Sequence, residues 1–80
     1  MPERLNTDHK VIGTKQLLKA LRAGRVAVAY LACDTDPMLL QPLTEQCRDA
    51  GVEIVEVATM KELGKLCRIH VGAACAAVLR

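Results

Sequence analysis

Gly13-Thr14-Lys15-Gln16 sets a permissive glycine, a hydroxyl, an amine and an amide in successive positions, where the pattern that follows reads as a helix. A helix start offers unpaired N–H groups and the positive end of the macrodipole, which suits a phosphate or the edge of a nucleic-acid groove. A P-loop would need a further glycine and a Gly-Lys-Ser/Thr run after a strand, and neither is present, so nucleotide hydrolysis is not expected. Lys15, Lys19 and Arg22 then recur at i, i+4, i+7, and Lys61, Lys65 and Arg68 repeat that spacing. On helices each triplet forms a stripe opposite the leucines. Neither stripe has an interleaved acid, an arrangement that repels itself unless something anionic lies against it.

A third place is Ile69-His70-Val71-Gly72-Ala73-Ala74, where branched apolar side chains give way to three tiny residues. Small residues let another molecule's backbone come close, while Ile69 and Val71 could pack on a base. A fourth is the acid pair Asp34 and Asp36. Paired carboxylates at the end of a strand can hold Mg²⁺ or accept phosphate, the chemistry of a small phospho-signalling or metal-binding domain. The competing reading is structural: Asp36 caps the helix that Pro37 begins, and Asp34 favours a turn. The cysteines Cys33, Cys47, Cys67 and Cys75 lack the close C-x(2–4)-C spacing of zinc sites, and His9 and His70 form no ligand pair. They read as core residues, with no metal and no cofactor expected.

The elements that position these groups alternate. Val11-Ile12 is a short apolar lead-in. Leu17, Leu18 and Leu21 give the helix beginning at Thr14 one apolar face, and Gly24 ends it. The run 26–32 is apolar on both faces, as a central strand is. A second helix starts at Asp36-Pro37, carries Leu39, Leu43 and Cys47 inward, and stops at Gly51. Residues 52–57 form a second strand. Thr59 and Glu62 make a capping box for a third helix with Leu63, Leu66 and Cys67 inward. Residues 71–79 are a loop followed by a terminal strand. This alternation predicts a layered α/β sandwich, one domain over 1–80 with 1–10 a flexible lead-in.

Composition narrows the function. Of the 80 residues 51% are hydrophobic, yet Tyr30 is the only aromatic one. RNA-binding sheets and single-strand-binding barrels stack bases on several rings, so that mode is excluded. No apolar run approaches the roughly 18 residues that span a bilayer, so no membrane is expected. The polar start of the chain has no secretory apolar core, and the expected address is the cytoplasm. Charge is uneven: residues 1–25 carry six cations against two acids, 26–60 one against six, and 61–80 four against one. Basic flanks around an acidic middle point to one surface that meets a polyanion.

Four segments recur in a familiar order: Gly13-Thr14-Lys15-Gln16-x-x-Lys19, the strand end Asp34-Thr35-Asp36-Pro37, Glu62-Leu63-Gly64-Lys65, and Ile69-x-Val71-x-Ala73-Ala74. Over residues 11–79 the chain thereby resembles the kink-turn-binding ribosomal proteins of the L-seven-Ae and L-thirty-e type, in particular their short bacterial members. The resemblance implies a three-layer α/β/α sandwich around a four-stranded mixed sheet. It also implies a non-enzymatic protein, probing structured RNA as a monomer: an internal loop with tandem sheared G·A pairs beside a three-nucleotide bulge, in ribosomal RNA, a riboswitch or another non-coding RNA. The first turn at Lys15-Gln16 would enter the groove at the G·A pairs, Lys19 would contact phosphate or base edges, and residues 69–74 would cover the bulge. The expected RNA-binding set is Gly13, Thr14, Lys15, Gln16, Lys19, Arg22, Lys61, Lys65, Arg68, Ile69, His70, Val71, Gly72 and Ala73. Archaeal and eukaryotic members carry Asn-Glu at Lys15-Gln16, commonly Glu at His70 and usually glycine at Arg68. The latter two changes add positive charge.

Overall fold

Hydrophobicity on both faces decides which strand is central. In a computed structural model, which describes residues 9–80, the chain forms β1 (Lys10–Ile12), α1 (Thr14–Arg22), β2 (Val26–Ala32), α2 (Pro37–Asp49), β3 (Glu53–Val57), α3 (Met60–Leu66) and β4 (Cys75–Leu79). The sheet order is β1-β4-β2-β3, with β4 antiparallel to both its neighbours and β2 parallel to β3. The two strands that are apolar throughout, β2 and β4, hold the middle.

Alternate side chains of these strands feed two cores. Ala29, Leu31, Cys75 and Ala77 meet Leu17, Ala20 and Leu21 of α1 and Leu43 and Cys47 of α2. On the other face Val28, Tyr30, Ala32 and Ala76 meet Leu63 of α3 and Cys67 just beyond it. The result is a three-layer α/β/α sandwich. Connection handedness accounts for the two-to-one split of helices. β1 and β2 run the same way, as do β2 and β3, and both steps move in one direction across the sheet, so right-handed crossovers put α1 and α2 on one face. The return from β3 to β4 leaves α3 on the other.

Three details depart from the sequence reading. Val11-Ile12 is more than a lead-in: with Lys10 it pairs as an edge strand, Val11 opposite Ala77 and Ile12 opposite Ala76. Residues 1–8 of the expected lead-in lie outside the described residues. The inward row of α2 runs through Leu40, Leu43 and Cys47, whereas Leu39 is 40% exposed. Arg68 is off the helix: α3 ends at Leu66, and Arg68 adopts φ +61°.

The helix ends explain that last point. Each helix closes with paired bonds from the two residues after its cap. Gly24 N donates to Leu21 O and Arg25 N to Ala20 O; Gly51 N donates to Arg48 O and Val52 N to Cys47 O; Arg68 N donates to Lys65 O and Ile69 N to Gly64 O. This closure requires a left-handed residue in the first position. Glycine takes it freely in α1 and α2, while a side chain there costs about 1 kcal/mol.

Cys47, Cys67 and Cys75 are buried and Cys33 is exposed, and all four thiols are free. Burial raises the pKa of the three interior thiols above the ordinary thiol value; Cys75 raises Cys47 further, and Lys10 pulls back on Cys67. The reactive thiolate is therefore suppressed at those three positions. Treating the native protein with iodoacetamide at neutral pH is expected to label Cys33 alone, with the others reacting only in denaturant; mass spectrometry showing rapid triple or quadruple labelling would contradict this packing.

Candidate nucleic-acid interface

Because β1, β2 and β3 run together and β4 runs against them, the starts of all three helices gather at one end of the sheet with the segment that enters β4. That segment ties them together. Cys75 O accepts from Gly13 N at 2.9 Å, Ala74 O accepts from Ala32 N at 2.9 Å, and Ala73 N donates to Met60 O at 3.0 Å. One stretch of backbone thus touches the start of α1, the end of β2 and the start of α3. Gly64 makes the approach possible, since a Cβ there would overlap the carbonyl oxygen of Val71.

The three helix starts differ in electrostatics. Asp36 accepts from Met38 N at 2.9 Å and caps α2. Thr59 Oγ1 accepts from Glu62 N at 3.0 Å, and Asp34 Oδ1 accepts from Met60 N at 2.8 Å, so α3 is closed twice. Asp36 thus caps a helix, the structural alternative to an Mg²⁺ or phosphate site, and Asp34 bonds a backbone amide through one carboxylate oxygen; among the described residues no three His, Cys, Asp or Glu side chains group as metal ligands. The start of α1 has neither a side-chain cap nor an acid in its first turn, and Gly13 holds φ +99°. Its N–H groups and dipole remain available beside exposed Lys15 and Gln16.

The expected residues separate into those that face solvent and those that do not. Lys15, Gln16, Lys19 and Arg22 are exposed along α1, and Lys61, Lys65, Arg68, His70, Val71 and Gly72 are exposed on the α3 side, Val71 at 70%. Ala73 is 4% exposed, and Ile69 packs into the second core. Those two shape the loop and leave Val71 as its apolar contact. Thr14 is turned partly inward, its Oγ1 accepting from Cys75 Sγ at 3.7 Å. The two basic stripes do not merge into one surface, since α1 and α3 cover opposite faces of the sheet. The α3 stripe lies on the face where residues 69–74 pack, and the α1 stripe lies on the other.

One cation escaped the sequence reading. A groove of about 200 Å³ beside α1 is lined by Gln16, Lys19 and Arg25 together with Val11, Ala20, Ala23 and Leu79. Arg25 lies past the helix cap, so helical spacing could not connect it to Lys19. Its membership of the basic first third was the available signal.

Comparison with known proteins converges on the same reading of the fold. Residues 1–80 match the profile of the ribosomal protein L7Ae/L30e/S12e/Gadd45 family. The chain belongs to this family. It is 40% identical over 76 residues to an RNA-binding protein of Geobacillus sp. (strain WCH70), covering 95% of this chain and 93% of that one. It is 43% identical over 70 residues to the RNA-binding protein YbxF of Geobacillus stearothermophilus, covering 88% and 85%. With the large ribosomal subunit protein eL8 of Halobacterium salinarum it shares 35% over 68 residues, 84% of this chain but 57% of that longer one. The fold superposes on a 15.5 kD RNA-binding protein of Giardia lamblia with a TM-score of 0.87 at 24% identity, covering 99% of this chain and 67% of the other. Among the described residues no helix is long and apolar enough to cross a membrane.

Proposed function

We propose that this L7Ae-family protein binds structured RNA at the loop end of its sheet, as a monomer, and that its target is a kink-turn in ribosomal RNA, a riboswitch or another non-coding RNA. The observation that carries the reading is the uncapped, acid-free start of α1 at the same end of the sheet as the exposed loop around Val71, with Gly13 N bonded to Cys75 O where that segment enters β4. Relatives bearing the name RNA-binding protein support the class of ligand. Lys15 donates toward guanine O6 or N7 and the amide of Gln16 offers both a donor and an acceptor to base edges. Val71, with Met60 beside Gly72, offers an apolar surface to bases that have left the stack. Lys19 and Arg22 on one flank, and Lys61 and Lys65 on the other, neutralise phosphates. No step in this account requires catalysis.

The test is a gel-shift comparison at about 0.15 M salt of a kink-turn RNA, the same RNA with its G·A pairs replaced by Watson–Crick pairs, and a straight duplex of equal length. The kink-turn is expected to bind tightest, in a one-to-one complex. Equal affinity for all three would leave only charge attraction and overturn the kink-turn assignment.

A further inference from the structure

Two of the three helices close on glycine, Gly24 and Gly51 both at φ +68°, and the third closes on Arg68 at φ +61°. The three closures have the same hydrogen bonds, so the chain itself provides the comparison. The turn at the end of α3 uses only the backbone of Arg68 and Ile69, so it gains nothing from a guanidinium. A residue that breaks the local backbone rule without helping the turn is a candidate for a role outside the fold. The side chain of Arg68 is exposed, it follows exposed Lys61 and Lys65, and the only acid from residue 61 onward is Glu62.

We propose that Arg68 is an RNA phosphate-binding residue, the anchor on the sheet face opposite α1, so that RNA lying across residues 69–74 is gripped from both faces of the sandwich. The inference rests on the RNA-binding reading above and adds a second arm to the contact. A guanidinium suits this position because its rigid fork takes a phosphate with two parallel hydrogen bonds. The left-handed backbone is then the cost of putting a fixed cation where the chain turns from α3 into the RNA-facing loop.

The proposal separates stability from affinity, and the test reads both. Arg68→Gly is expected to raise the melting temperature of the free protein by about 4 °C, through relief of the left-handed backbone. The same variant should bind the kink-turn RNA about five- to tenfold more weakly, with the slope of log affinity against log salt reduced by about 0.9. Arg68→Lys should keep that slope and show no gain in melting temperature. If Arg68→Gly binds with the parent's affinity and slope, the residue is not a phosphate contact and the proposal is wrong. A lower melting temperature for Arg68→Gly would likewise overturn it, by showing that the side chain supports the fold. Failure of the parent protein to bind RNA at any salt concentration would instead refute the RNA reading on which the proposal stands.

Discussion

Gly64→Ala is expected to destabilise the protein by about 1–3 kcal/mol and to weaken RNA binding with it. Helix propensity alone predicts the opposite sign, since alanine is better than glycine inside a helix by about 1 kcal/mol. The position is buried, however, and the added Cβ would overlap Val71's carbonyl oxygen and lie 3.1 Å from its carbonyl carbon and 3.2 Å from the Cα of Gly72. These are backbone atoms, so no side-chain rotation relieves the contact. Either α3 lifts off the second core, which costs the packing of Leu63, or residues 71–72 move outward and strain the Ala73 N to Met60 O bond. Both routes displace the loop that faces the RNA. Thermal melting and gel shift on the same variant decide the matter: a higher melting temperature with unchanged binding would mean that the loop does not rest on Gly64.

What the sequence made legible was local. Asp36-Pro37 and Thr59-x-x-Glu62 announce helix starts because capping is settled within three residues; the Asp36 cap forms as read, and of the capping box the Thr59 half forms, its Oγ1 accepting from Glu62 N. Val26–Ala32 is recognisable as central because burial on both faces leaves no polar alternation to mistake for an edge. The edge strand β1 was hidden for the opposite reason. Three residues carry too little periodicity, and their partner β4 lies more than sixty positions away. In Met38-Leu39-Leu40 two registers of an apolar face are equally open, and only packing against the first core selects Leu40.

The candidate site shows the same division. That Lys15, Gln16 and Lys19 share a solvent-facing helix surface follows from spacing, and the structure exposes all three. That the basic stripes fall on opposite faces of the sheet does not, because it depends on strand order and on the direction of each crossover. Ile69 and Val71 look equivalent as branched apolar residues two apart, yet one is half-buried and the other exposed. The left-handed turn at Arg68 and the close pass over Gly64 set their orientation, and neither is a feature of periodicity.

The second large effect is expected at Lys19. This residue stands one turn after Lys15 on exposed α1 and borders the groove that also holds Gln16 and Arg25. It takes no part in either core, so Lys19→Ala should leave the melting temperature unchanged. Binding should weaken by about 1–3 kcal/mol, and the slope of log affinity against log salt should flatten by about 0.9, one phosphate's share of released counterions. Gln16→Ala provides the contrast within the same turn of helix. A neutral amide displaces no counterion, so its loss should leave the salt slope alone and erode the preference for G·A-containing RNA over its Watson–Crick counterpart. The pair of variants thus divides the binding free energy into a part that positions the RNA and a part that reads it. If Lys19→Ala alters preference, or Gln16→Ala alters only the slope, the roles are reversed and the helix meets the groove in a different orientation. If neither variant changes binding, the start of α1 does not touch the RNA, and the interface must lie elsewhere on the sandwich.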